Sequence, residues 1–184
     1  MYILTLNCGS SSLKYQVFDA NTKTPIISGN VEKIGSADSF ITQTMPYNTK
    51  QKKEIPIKNH ADAFRFALTM LRHASFDSRK IKGVGHRVVM GGDEFASSTL
   101  INDDVIRTID KLSPLAPLHN PPALRGIETA KQLLPIAAHT AVFDTTFHQT
   151  MLDYSYRYAI PSAWHRELGA RRYGFHGTSH LYVS

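Results

Sequence analysis

Cysteine is almost missing from this chain: Cys8 stands alone among 184 residues. One thiol excludes an intrachain disulfide framework and a four-cysteine zinc site, and it makes a reducing, cytoplasmic setting the expectation. No run of about 18 apolar residues occurs, so no transmembrane helix is expected. The longest apolar stretches, such as Tyr2 to Leu6, are short and strand-like. After Met1 the chain passes straight into apolar sequence, without the basic region and cleavage site of a secretory leader. Charged residues are sparse at 20% against 42% apolar, and eight Tyr with nine Phe supply enough apolar surface for a core, which excludes wholesale disorder. The length suits about one to one and a half domains. The charge that is present is unbalanced, with 21 Lys and Arg against 15 Asp and Glu, a net +6 and a pI near 9.5. This fits anionic partners, but the basic residues are scattered rather than gathered in an aromatic-laced patch. Phosphate metabolites and nucleic acid are both candidates by charge, but the scatter makes nucleic acid a weak one, and neither nucleic acid nor a membrane is expected as partner.

What is there is patterned. Tyr2–Leu6 and Leu13–Phe18 read as strands flanking Asn7-Cys8-Gly9-Ser10-Ser11-Ser12, a run of turn formers, and so predict a β-hairpin with a polar tip. Pro25–Val31 and the alternating Phe40–Met45 extend it to a β-meander, with Lys50–Lys53 as a solvated turn. The period changes at Asn59, after which Phe64, Ala67, Leu68 and Leu71 share one helical face with Asn59 or Asp62 as cap. Ile81–Val89 returns to strand and is broken at Gly91-Gly92. Asn102-Asp103-Asp104 then opens a helix with Val105, Ile106, Ile109 and Leu112 inward. Beyond a Pro-rich loop, Asn120-Pro121 supplies cap and first turn to a helix carrying Leu124, Ile127, Ala130 and Leu134. A strand, Thr140–Phe143, ends at Asp144. Meander, helix, strand, helices, strand predicts an α/β fold, a mixed sheet covered by helices. From Thr145 the chain is loop-rich and dense in Tyr, Arg and His. A helix opening at Thr178 or Ser179 meets no Gly or Pro stop, so the chain reads as interrupted rather than finished.

Five places carry residues suited to chemistry. The tip Asn7-Cys8-Gly9-Ser10-Ser11-Ser12-Leu13-Lys14 combines amide, hydroxyl and ammonium donors fit for an oxyanion, or is a plain hairpin turn. It is not a Walker loop, which needs wider glycine spacing, Lys followed by Ser or Thr, and a helix after it. Arg87 shares a strand face with Val89, opposite His86, and an Arg there needs an anion: a phosphate or carboxylate clamp, or a structural salt bridge. His119 sits in a proline-stiffened loop before a helix, as ligand or as backbone partner. Asp144 follows a strand C-terminus, where metal-binding or water-activating carboxylates sit, though a helix cap also explains it. Arg171 to His180 holds two Arg, two His and two Gly. His176 and His180 have metal-ligand spacing, while Gly174 and Gly177 suit a loop brought close to an anion. Many donors, one carboxylate and no nucleophile with a triad partner fit phosphoryl transfer.

These blocks, Asn-x-Gly-Ser-Ser-Ser-x-Lys at 7–14, Gly-His-Arg-Val-Val at 85–89, Ser-Pro-Leu-Ala-Pro-Leu-His-Asn-Pro-Pro at 113–122, Ala-Val-Phe-Asp-Thr-x-Phe-His-Gln-Thr-Met at 141–151 and Arg-Arg-Tyr-Gly-Phe-His-Gly-Thr-Ser-His at 171–180, resemble in content and order those of the acetokinase family, the acetate kinases of the sugar kinase, Hsp70 and actin superfamily. The resemblance covers essentially the whole chain, whereas such kinases are about twice as long. It implies an actin-like, ribonuclease H-like α/β domain over 1–149, with a mixed five-stranded sheet flanked by helices, and the incomplete start of a second similar domain over 150–184. It implies reversible transfer of the ATP γ-phosphoryl group to acetate, giving acetyl phosphate and ADP, with Mg²⁺ or Mn²⁺, in a cytoplasmic homodimer. By the same resemblance Asp144, Arg87, His176 and His119 are catalytic. Arg87, Val89, Leu118 and Phe175 surround the acyl substrate, with Val89 favouring acetate over propionate. Asn7, Ser10, Ser12 and Lys14 lie on the phosphate and ATP side, and Asn7 and Asp144 at the metal. Met90 stands where the family usually has His, and Leu181 where a basic or aromatic residue is common. The adenosine site, a second Arg and a metal-side Glu belong to the absent half, so the isolated chain is expected to be inactive. A non-catalytic acetate- or phosphate-binding module is the alternative.

Overall fold

The computed structural model describes residues 1–45 and 49–184. Strands β1 (Tyr2–Cys8) and β2 (Leu13–Asp19) form the expected hairpin, with Tyr2 opposite Asp19 and Cys8 opposite Leu13. β3 (Thr24–Glu32), β4 (Phe40–Thr44) and β5 (Lys50–Glu54) continue it antiparallel. β6 (Ile81–Val88) pairs parallel with β1, β8 (Ala138–Phe143) parallel with β6, and the short β7 (Thr99–Leu100) closes the edge on β8.

The strand order is therefore β5-β4-β3-β2-β1-β6-β8-β7. The sheet has eight strands where five were expected: β5 and the short β7 add its two edges to the strands read from the sequence. Lys50–Lys53 is part of strand β5 rather than a turn. All five β5 residues are exposed, so no apolar periodicity marks the strand. Its ladder to β4 holds it, and its lysines suit a sheet edge that must not pair further.

One sheet face is covered by α1 (His60–His73) and α3 (Asn120–Leu133), which bury Leu4, Leu6, Tyr15, Val17 and Val84. α2 (Asp103–Lys111) completes a second cluster around Val88, Phe95, Ile109, Ile127 and Phe143. Asn59, not Asp62, caps α1, accepting from the Asp62 N–H, and Asn102 caps α2 in the same way. At α3 the expectation fails. His119 holds the cap position, and Asn120 begins the helix because its carboxamide is turned into the core. Among the described residues no helix is long and apolar enough to cross a membrane.

The segment after β8 is more helical than expected: a 3₁₀ turn (Thr146–Thr150) leads to α4 (Asp153–Tyr156), α5 (Ser162–Leu168) and α6 (Gly177–Val183). α6 starts at Gly177, ahead of the expected Thr178 or Ser179. Leu152, Tyr154, Trp164, Leu168, Leu181, Tyr182 and Val183 are all exposed along it.

Beneath the sheet lies a buried histidine pair. His139 Nε2–H donates to the Leu134 carbonyl at 3.1 Å, so its Nδ1 accepts the His86 Nε2–H at 3.0 Å. Burial, then the charge of His139, pushes the His86 pKa down from 6.5 to about 3. The unfolded chain therefore binds the proton that the folded chain refuses, and stability is complete above pH 6.5 and falls as pH drops toward 3. Chemical denaturation at pH 4 and pH 7 should show a smaller loss on acidification for His86→Leu than for the parent. An equal loss in both would disprove the assignment.

Candidate active site

β1, β6 and β8 run parallel, so their C-terminal ends meet at one edge of the sheet, the usual binding edge of an α/β domain. Each delivers one polar side chain there: Asn7 near the end of β1, Arg87 near the end of β6, Asp144 just past β8. Asp144 is 1% exposed, and a buried carboxylate needs a partner. Arg87 Nε donates to both its oxygens, at 3.1 and 3.2 Å, and Nη2 to Oδ2 at 2.7 Å. Those hydrogen bonds raise the Arg87 pKa above its ordinary value, so the guanidinium stays charged.

The structural salt bridge expected as one alternative for Arg87 is present, with Asp144 as its anion. The salt bridge occupies two of the five guanidinium N–H groups and fixes the plane of the fork. The remaining N–H groups face Asn7 Oδ1 (Nη1, 3.5 Å), His176 Nδ1 (Nη2, 3.5 Å) and the cleft. Asp144 is not a helix cap: its carboxylate takes Arg87, and its backbone carbonyl accepts the Gly177 N–H at 2.9 Å.

The cleft, about 430 Å³, is lined by Arg87, Val89, Leu115, Ala116, Pro117, Leu118, His119, Asp144, Phe175 and His176. Every residue expected around an acyl substrate or in catalysis is on that wall. A neighbouring cavity of about 250 Å³ is lined by Asn7, Cys8, Gly9, Ser12 and Lys14 and shares Arg87, Val89 and His119 with the first. A third, of about 320 Å³, runs along the uncovered sheet face past Thr5, Gln16, Gly85 and Val142, again to Arg87. Ser10 is not brought in: it is exposed on the hairpin tip and lines none of the three. Nor does the Met90 side chain reach them, since it is buried at 3% exposure. His176 and His180 do not form a pair. His176 turns to Arg87, while the His180 ring stacks on Phe147, 5.8 Å between centroids.

A supporting layer escaped the sequence reading. His60, kept neutral by burial, donates from Nε2 to the Gly9 carbonyl at 2.7 Å and props up the hairpin tip. Asn120, fully buried, accepts the Met90 N–H and donates to the Met90 carbonyl, both at 3.0 Å, and so ties the His119 loop to the end of β6. Thr145 Oγ1 accepts the Gly91 N–H at 3.2 Å, tying β8 to the same place. Only Asn120 carried a usable hint: an Asn ahead of two prolines that is not needed as a cap.

Among the described residues no group of three or more His, Cys, Asp or Glu side chains could hold a metal. The two residues expected at a metal, Asn7 and Asp144, supply hard oxygen donors, and the carboxylate keeps acceptor capacity beyond its bonds to Arg87. Two such donors are too few for a protein-only cage. They fit an ion whose octahedron is completed by phosphate oxygens and water, as Mg²⁺ prefers.

Comparison with known proteins completes the picture. The model of the acetokinase family matches residues 2–184. The acetate kinase of Parabacteroides distasonis is 48% identical over the whole of this chain, which spans 47% of that relative, and that of Geobacter sulfurreducens is 46% identical, with 45% spanned. Among solved structures, acetate kinase from Porphyromonas gingivalis superposes with a TM-score of 0.93 at 42% identity, over 99% of this chain and 47% of that one. A propionate kinase from Francisella tularensis gives 0.94 at 39% identity, over 100% of this chain and 47% of that one. The chain thus spans about half the length of the curated relatives it matches.

Proposed function

The chain belongs to the acetokinase family, and on that premise we propose that it is the acyl-substrate half of an acetate kinase, whose complete form moves the γ-phosphoryl group of ATP reversibly onto acetate. One observation carries the reading: Arg87, Val89, Leu118, His119, Asp144, Phe175 and His176, from four separate stretches of sequence, face a single cleft. The acetate carboxylate binds the N–H groups of Arg87 that Asp144 leaves free, and the methyl group sits against Val89, Leu118 and Phe175. A carboxylate oxygen attacks the γ-phosphorus while the bond to the bridging oxygen breaks and its electron pair leaves with ADP. Charge spreads over the equatorial oxygens in flight, and N–H donors from Arg87, His119 and His176 are placed to meet it.

Asp144 acts by holding the Arg87 fork in plane, since a guanidinium that swings loses the alignment on which in-line transfer depends. Asn7, Ser10, Ser12 and Lys14 form the phosphate side of the proposal, with Ser12 and Lys14 already on the cavity wall and Ser10 on the exposed tip. Mg²⁺ or Mn²⁺, held by Asn7, Asp144 and the nucleotide phosphates, would neutralise phosphate charge when bound. The branched Val89 narrows the methyl pocket and favours acetate over propionate.

We divide the chain into an acetokinase domain, 1–149, and the start of a second, 150–184. The sheet and its helices end with the first, and the exposed apolar residues of α4–α6 suit burial against further polypeptide. The complete protein is proposed as a cytoplasmic homodimer with acetate, acetyl phosphate, ATP and ADP as its ligands. The test is acetyl phosphate formation from ATP, acetate and Mg²⁺, with this chain run beside one extended to the end of its gene. Turnover by the extended chain alone is expected. Acetate binding without turnover in either would replace the kinase with a binding module.

A further inference from the structure

We propose that His148 is a positioning residue for the transfer step, acting on the cleft through the Phe175 backbone and touching no substrate itself. The proposal rests on the kinase reading above. His148 lies in the 3₁₀ turn that follows Asp144 and is not on the cleft wall. Its Nε2–H donates to the Phe175 carbonyl at 2.9 Å. Its ring fills the space that Gly174 leaves open, for a Cβ at 174 would overlap the ring atoms. Two residues past Phe175, the Gly177 N–H donates to the Asp144 carbonyl, and a Cβ there would overlap that oxygen.

The segment 174–177 is thus fastened at both ends to the 144–148 segment. The two residues between the fasteners are the ones that enter the cleft: Phe175 against the apolar wall, and His176 with Nδ1 3.5 Å from Arg87 Nη2. His176 has φ of 55°, a left-handed conformation that an L-residue rarely holds. A backbone so strained keeps its shape only where its surroundings over-determine it. Gly177 secures the C-terminal side of His176, and among the described residues the only side chain that bonds the Phe175 carbonyl is that of His148. The aromatic neighbours hold the ring in place: Phe147 meets it edge-on at 5.2 Å between centroids and His180 at 5.5 Å.

The test compares His148→Gln, whose amide N–H can reach where Nε2 does, with His148→Leu, which cannot donate, both in the chain extended to the end of its gene. His148→Leu is expected to lower kcat by about 10²-fold, the size of a 1 Å misplacement, and to raise KM for acetate several-fold through Phe175 while leaving KM for ATP unchanged. His148→Gln should recover most of both losses. Gly174→Ala, which drives the ring off the carbonyl from the other side, should reproduce the His148→Leu kinetics, and it decides the matter should His148→Leu fail to fold. Wild-type kinetics in His148→Leu or in Gly174→Ala would overturn the proposal, as would equal losses in the Leu and Gln variants. An unmutated extended chain that forms no acetyl phosphate would instead refute the kinase reading itself.

Discussion

Replacing Arg87 by alanine in the extended chain is expected to lower kcat/KM for acetate phosphorylation by about 10³-fold or more, the range seen when an arginine serving a transferring phosphoryl group is lost. The side chain lies on all three cavities at the sheet edge and, among the described residues, supplies the only guanidinium on the cleft wall. Arg87→Lys should recover little, because one ammonium cannot both bridge the two oxygens of Asp144 and present a planar pair of donors to a carboxylate. A structural confound accompanies the alanine variant: Asp144, 1% exposed, is left without its partner. The double change Arg87→Ala with Asp144→Asn removes that orphaned charge. It should regain stability relative to Arg87→Ala and remain inactive. Activity within tenfold of the parent in Arg87→Ala would remove Arg87 from the mechanism.

The second large effect is on stability. Asn120 is fully buried, and its carboxamide satisfies both backbone groups of Met90. Asn120→Ala leaves a donor and an acceptor without partners inside the core, at about 1–3 kcal/mol each. A loss of roughly 2–6 kcal/mol is a large part of the ~5–15 kcal/mol that holds a typical domain. In a chain of this size it corresponds to a melting temperature lower by about 4–24 °C. The loop before α3 carries His119, so substrate-dependent kinetics in the extended chain should suffer well below the melting point. A shift under 2 °C would mean that the loop is held by its prolines and not by the carboxamide.

The parts of the fold that were legible in the sequence are those where one face meets a core. Alternation in β2 and the 3.6-residue period in α1 each mark a buried side, Leu13, Tyr15 and Val17 in one, Phe64, Ala67 and Leu71 in the other. β5 was illegible for the opposite reason, since a strand exposed along its whole length has only its ladder to define it. Asn120 was misread as a cap because Asn before Pro is a common helix start, and which backbone groups a carboxamide takes depends on a loop 30 residues away. The cleft wall was legible through family motifs rather than through periodicity. Spacing alone left Arg87 between clamp and salt bridge, and the structure shows why: Asp144, 57 residues later, takes one side of the fork and leaves the other free. His60, Thr145 and His148 act through backbone carbonyls and amides of distant segments, and no local pattern records such partners.

Whether Arg87 and the apolar wall hold acetate for phosphoryl transfer is tested most directly by a crystal structure of the extended chain with acetate, ADP, Mg²⁺ and a planar phosphoryl mimic. The acetate carboxylate is expected within hydrogen-bond reach of Arg87, its methyl group against Val89, Leu118 and Phe175, and the mimic between it and ADP, beside Asn7 and His176. Acetate bound away from Arg87, or a methyl group pointing out of the apolar wall, would contradict that placement.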